Sequence, residues 1–161
     1  MQSKLDFDMG PGARYAPYIA ASAERDPFRR LDLRSRVGSG VRYAFYSGGS
    51  GDASLRLAAL YSHERFTPAA NRDPRSDGTW SLEVKGQQGI GEAAKIENAS
   101  AWEPVMGDLR DYNVEVKTKL TSKISRRLAV TLQHQYSYDS TPAVDIGNVD
   151  QRFQAGLTID F

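Results

Sequence analysis

FQAGLTIDF, Phe153 to Phe161, closes the chain, and its reading decides the fold. Phe153, Ala155, Leu157, Ile159 and Phe161 are apolar, while Gln154, Gly156, Thr158 and Asp160 between them are small or polar. Successive side chains of a β-strand point to opposite faces, so strict period-two alternation predicts a strand with one apolar and one polar side. The apolar side ends on an aromatic. One such stretch could arise by chance, so its weight depends on whether the pattern repeats upstream.

It does repeat. Leu31, Leu33, Val37, Val41, Tyr43 and Phe45 share one parity of segment 30–46, and Arg30, Asp32, Arg34, Arg36 and Arg42 share the other. Leu55, Leu57, Ala59 and Tyr61 oppose Arg56, Ala58 and Ser62. Trp80, Leu82, Val84 and Ile90 oppose Glu83, Lys85 and Gln87. Tyr112, Val114, Val116 and Leu120 oppose Asn113, Glu115, Lys117 and Lys119, and Leu128, Val130, Leu132, Tyr136 and Tyr138 oppose Thr131, Gln133, Gln135 and Ser137. Segments 14–24 and 95–103 alternate less cleanly, and Leu5-Asp6-Phe7-Asp8-Met9 alternates again. No segment carries a helical period over about 11 residues.

With 161 residues the chain is one domain, 1–161. Its mean hydropathy of −0.54 resembles that of a water-soluble protein. No run of about 18 apolar residues exists, which excludes a transmembrane helix. A membrane barrel escapes that test, because only every second residue need be apolar. The absence of cysteine excludes a disulfide scaffold and a thiolate metal site. The 21 basic and 20 acidic residues nearly cancel, so the whole chain lacks the basic footprint of a nucleic-acid binder. Met1-Gln2-Ser3-Lys4 runs into LDFDM without an apolar signal core, so an envelope protein is expected here in a mature or shortened form.

The polar parity carries charge, not only Ser and Thr. In a soluble sandwich, or a lipocalin-like binding barrel, that parity faces water. In a membrane barrel the faces invert, with apolar residues toward lipid and charges toward a polar lumen. Segments of roughly 9–13 residues match a tilted crossing of the hydrocarbon core. Aromatics sit toward segment ends (Tyr43, Phe45, Tyr61, Trp80, Trp102, Tyr112, Tyr136, Tyr138), as interfacial girdles require. The terminal strand, with Phe153, Ala155, Leu157, Ile159 and Phe161 on one face, resembles the signal read by the outer-membrane assembly machinery. The expected fold is therefore all-β: an antiparallel, up-and-down transmembrane β-barrel in the Gram-negative outer membrane, in contact with outer-membrane lipids and lipopolysaccharide.

Counting back from a periplasmic Phe161, connections 139–150, 103–111, 65–78 and 24–29 fall outside, and 121–127, 87–94 and 46–53 become periplasmic turns. The two longest then lie outside, as such barrels prefer. Eight strands follow from residue 14. The expected barrel therefore closes with eight strands of this chain; a ninth piece at 4–9 makes the count odd, and the alternative is that the chain is part of a barrel of ten to twelve strands beginning upstream.

ERDPFRRLDLRSRVGSGVRYAFY (Glu24 to Tyr46) resembles the middle of the YdiY-like salt-induced outer-membrane protein family, with its acidic-Pro-Phe turn, Leu-Asp-Leu-Arg strand and glycine-containing strand half. KLTSKISRRLAVTLQHQYSYDSTPAVDIGNVDQRFQAGLTIDF (Lys119 to Phe161) resembles its ending, including Tyr-Asp-Ser-x-Pro before a loop and the closing strand. The resemblance covers roughly residues 4–161. It implies an integral outer-membrane barrel with a salt- or osmotic-stress association, and it implies no reaction and no catalytic residues.

The candidate lumen residues are Arg34, Arg36, Arg42, Arg56, Glu83, Lys85, Glu115, Lys117, Lys119 and Arg152, with Arg30, Lys95, Glu64, Glu97, Glu103 and Asp160 on the same parity. A narrow eight-strand barrel would fill its interior with their ion pairs. A wider one would leave a small charge-lined pore, constricted at Arg34 and Arg36 and selective for anions. His63 and His134 fall on the apolar parity, the raw material of a lipid-modifying enzyme. Ser62 and Glu64 face away from His63, however, and Ser137 faces away from His134, so neither strand builds a triad. Asp139, Asp145 and Asp150 share a connection but match no calcium loop. Gly48, Gly49 and Gly51 form no phosphate loop, since no Gly-Lys-Ser/Thr follows. The expected protein is non-enzymatic, without metal or cofactor.

Overall fold

The computed structural model describes residues 2–9, 12–26, 31–68, 73–125, 127–142 and 147–159. Nine strands follow one another: β1 (Gln2–Asp8), β2 (Tyr15–Asp26), β3 (Leu31–Gly48), β4 (Gly51–Phe66), β5 (Arg75–Ile90), β6 (Ala94–Val105), β7 (Asp108–Lys123), β8 (Leu128–Asp139) and β9 (Val149–Ile159). They form one sheet in sequence order, and each is antiparallel to the next. The strands expected from residue 14 correspond to β2–β9, and the piece at 4–9 to β1.

The strands are longer than the alternation alone suggested. β3 runs for 18 residues and β4, β5 and β7 for 16 each. The expected loop 103–111 is corrected to a two-residue turn, Met106-Gly107, between β6 and β7. Its polar residues Glu103 and Asp111 read as a loop but lie on the two strands, lining the same cavity. A register shift at Pro104 and Val105 accommodates the proline, which cannot donate to the ladder. Gly107 takes φ 95° and Gly49, in the β3–β4 turn, takes φ 56°; only glycine enters that region at little cost.

The sheet is strongly curled. On a flat sheet β3 and β6 would lie about 14 Å apart, three strand spacings. Instead Arg36 on β3 and Glu103 on β6 form an ion pair at 2.5 Å. The polar parity lines the concave side, where Arg34, Ser62, Thr79 and Ser81 are buried. The apolar parity covers the convex side, where Val37, Val41, Phe45, Leu57, Tyr61, Trp80, Phe153 and Leu157 are 46–75% exposed. This is the reverse of a water-soluble interior, in which apolar side chains are buried and charged ones almost never are unless paired.

A small apolar plug interrupts the polar interior: Tyr18, Ala58 and Leu60, with Ala20 against them. Tyr18 pairs in register with Gly40, and the Arg56 guanidinium lies 5.1 Å from its ring centroid. A Cβ on Gly40 would overlap the Leu57 carbonyl oxygen, and one on Gly38 the Ala59 carbonyl oxygen. The two glycines let β3 and β4 bend tightly around the plug. Leu31 shows how a local irregularity overrides parity. The alternation placed it with Leu33 outside, but a register shift between them turns Leu31 inward to 2% exposure.

The described sheet is open, with β1 and β9 as its edges, which corrects the expectation of closure within this chain. Strand parity removes the usual antiparallel closure. In a nine-strand meander the first and last strands run the same way, so they cannot pair antiparallel with each other.

Replacing Gly40 with Ala should destabilise the fold by about 1–3 kcal/mol, the usual cost of overpacking. Gly156→Ala, where nothing lies within 4 Å of the added methyl, should cost far less. Denaturant midpoints of the two variants, refolded side by side, check this.

Candidate functional site: a charge-lined concavity

The strands place the charged parity in tiers between two unlike ends. One end carries the connections after β2, β4, β6 and β8; the other carries the turns after β1, β3, β5 and β7. At the first end Arg34 bonds Glu64 at 2.5 Å and lies 3.6 Å from Glu24. Arg75 pairs with Asp77, and with Asp111 at 2.6 Å. The Thr141 hydroxyl donates to Asp111 at 2.7 Å, and the Thr141 backbone N–H donates to Asp139 at 2.9 Å.

The next tier is the Arg36–Glu103 pair, with the Ser81 hydroxyl donating to Glu103 at 3.5 Å. Below it Glu83 receives Lys85 at 3.2 Å and Arg56 at 3.7 Å. Glu115 receives Lys117 at 3.0 Å and a hydrogen bond from Gln135 at 2.9 Å. Nearest the second end Glu97 receives Lys95 at 3.1 Å and Lys119 at 3.3 Å. Arg42 donates to the Ala13 carbonyl at 3.2 Å, and Arg152 on β9 pairs with Asp150 at 2.8 Å. Outside the strands, Arg14 donates to the Tyr43 hydroxyl at 2.9 Å, a bond that raises its pKa above the ordinary value.

All ten candidate lumen residues therefore sit on the concave side with carboxylate or hydrogen-bonding partners. Arg30, Asp145, Asp160 and Phe161 lie outside the described residues. The tiers differ from the expected arginine constriction in one respect. Arg34 and Arg36 are neutralised by Glu24, Glu64 and Glu103, so they present no bare positive ring. Of the cavities along the concavity, one of about 380 Å³ lies among Lys85, Glu97, Lys117 and Lys119, and two of about 240 Å³ each are both bordered by Arg36 and Glu103. This pair is the partition between them.

The outward face carries the histidines. His63 Nδ1 lies 2.7 Å from the Ser76 hydroxyl, its register partner on β5. Sequence reading missed Ser76 because strand register, not spacing along the chain, joins the two. His134 stacks on Phe153, ring centroids 4.3 Å apart, and acts as packing on the convex side. No group of three or more metal-ligating side chains converges among the described residues. The glycines at 48–51 form the β3–β4 hairpin turn.

Fold and site together define a class: an up-and-down antiparallel sheet curled around its own charges, with its apolar side chains outermost. The chain belongs to the family described as a protein of unknown function, DUF481, whose match spans residues 1–161. No curated protein matches the chain.

Glu103→Gln should cost about 2 kcal/mol, because it strands a mostly buried guanidinium. Pairing it with Arg36→Met should recover most of that loss. Glu97→Gln, in a more exposed cluster, should cost at most about 0.5 kcal/mol. A double-mutant cycle on unfolding midpoints measures all three.

Proposed function

We propose that this protein is an integral β-barrel of the Gram-negative outer membrane, non-enzymatic, whose charge-lined interior is either a structural filling or a narrow pore. The observation that carries the reading is the inverted polarity: ion pairs inside, and large apolar side chains exposed along the convex face. Exposed apolar patches beyond a few hundred Å² are rare on soluble monomers. Lipid removes the penalty, and it requires every backbone donor and acceptor to be paired within the protein. Antiparallel closure calls for an even number of strands, as the eight from β2 to β9 would supply. The partners are outer-membrane lipids, lipopolysaccharide and the assembly machinery that reads the last strand. The resemblance to the YdiY-like family supports a role in salt or osmotic stress.

Leu57, at the middle of β4 on the convex face, separates the membrane reading from the soluble lipocalin-like one. Leu57→Arg should destabilise bilayer-inserted protein by about 2–4 kcal/mol, as charges at the midplane do. A soluble barrel would instead gain solubility from it and stay monomeric in buffer without detergent. In the same bilayers a pore gives conductance steps that change on replacing Arg34 and Arg36 with Ala; steps unaltered by both would remove the constriction, and no conductance at all would leave the structural role.

The His63–Ser76 contact favours a second reading, a lipid-modifying enzyme, since a hydroxyl hydrogen-bonded to an imidazole is the minimal activated nucleophile. That reading requires altered lipid A or phospholipid chains on expression, restored by His63→Ala. Unchanged lipids reject it.

A further inference from the structure

We propose that the cavity at the β2–β3, β4–β5 and β8–β9 end binds linear aliphatic amines bearing two or more ammonium groups. The inference deepens the pore reading, since this cavity would be the outer mouth of the pore, but the binding itself needs only the folded, curled sheet.

Charge comes first. Among the described residues the cavity wall holds six carboxylates against three guanidiniums, Arg34, Arg36 and Arg75. Arg152, just outside, neutralises Asp150. Asp139 accepts a backbone hydrogen bond from Thr141 and is within electrostatic reach of Arg34, but it makes no ion pair within 4 Å among the described residues. Among the described residues the wall therefore keeps a negative excess, which favours cations over anions.

Hydrogen bonding is the second, independent observation. Ser62 is only 4% exposed and lines this cavity, yet its hydroxyl has no hydrogen-bond partner among the described residues. Asn113 lines it too, and its Oδ1 is buried without one. Buried polar atoms are normally satisfied, so a group that belongs here brings N–H or O–H donors.

Shape is third. Leu31, Phe66, Val105 and Val149 give the same cavity an apolar wall. Its volume of about 240 Å³ is small beside the roughly 300–1,000 Å³ of drug-sized sites. A bare metal ion would need several ligands converging on one point, and the carboxylates here act as separate charges. A neutral polyol would leave the charge excess unused. An alkyl diamine satisfies all three features: ammonium groups on the carboxylates, N–H donors for Ser62 and Asn113, and methylenes along the apolar wall.

The test is calorimetric titration of the refolded full chain in zwitterionic micelles with 1,6-diaminohexane, and with 1,6-hexanediol as the uncharged comparator. Folding of each sample is verified by heat-modifiable gel migration. Saturable binding of the diamine alone is expected. It should weaken about tenfold in Asp139→Asn, the loss of one charge-assisted hydrogen bond. It should be unchanged in Glu97→Gln at the opposite end. Asp150→Asn on the exposed edge strand provides a second variant and should weaken binding in the same direction. Equal binding of the diol, indifference to both aspartate substitutions, or no saturable binding by folded protein would overturn the proposal. Diamine binding without any conductance would sink the pore and leave the site standing.

Discussion

Everything in this structure depends on charges inside the curl finding partners. A guanidinium or carboxylate withdrawn from water pays a desolvation cost of several kcal/mol, which only close opposite charge and hydrogen bonds offset. The sequence puts charge on one parity of strand after strand, so those side chains must meet. Arg36 and Glu103, three strands apart, bond at 2.5 Å only because the sheet bends until they do. Arg34 with Glu64, and Arg56 with Glu83, tie adjacent strands in the same interior. Such pairs add little net stability over a well-packed apolar core. What they impose is shape, since a flatter sheet would break the Arg36–Glu103 pair.

The bend needs its own local devices. Gly38 and Gly40 remove the Cβ atoms that would strike the carbonyls of β4, and Tyr18 fills the space above Gly40. The register shift at Leu31–Leu33 turns one leucine inward, where it lines the carboxylate-rich cavity. These features differentiate the two ends. Arg34, Arg36, Arg75 and the excess carboxylates gather at one end, whereas Lys85, Lys95, Lys117 and Lys119 gather around Glu83, Glu97 and Glu115 toward the other. The proposed membrane setting gives that polarity a direction, and the proposed amine site uses the acidic end of it.

The alternation of Leu55, Leu57, Ala59 and Tyr61 against Arg56 and Ser62 was legible because it depends on nothing but the pleat of a strand. The same holds for β5, β7, β8 and β9, and for the membership of the concave set from Arg34 to Arg152. Leu31 and the 103–111 stretch were misread because a bulge and a two-residue turn change parity and length without a strong compositional mark. Ser76 was not seen beside His63, nor Glu103 beside Arg36, because both contacts join residues whose separation in sequence carries no information about register or curvature.

By itself, then, the sequence determined which residues share a face and that the faces differ in polarity, since a period of two is a property of the local backbone. Only the tertiary structure decided which charges pair, where the cavities lie, that Ser62 and Asn113 line one of them, and that the nine described strands leave two parallel edges. Those outcomes follow from register, bulges and sheet curvature, which are summed over the whole sheet and are written in no single segment.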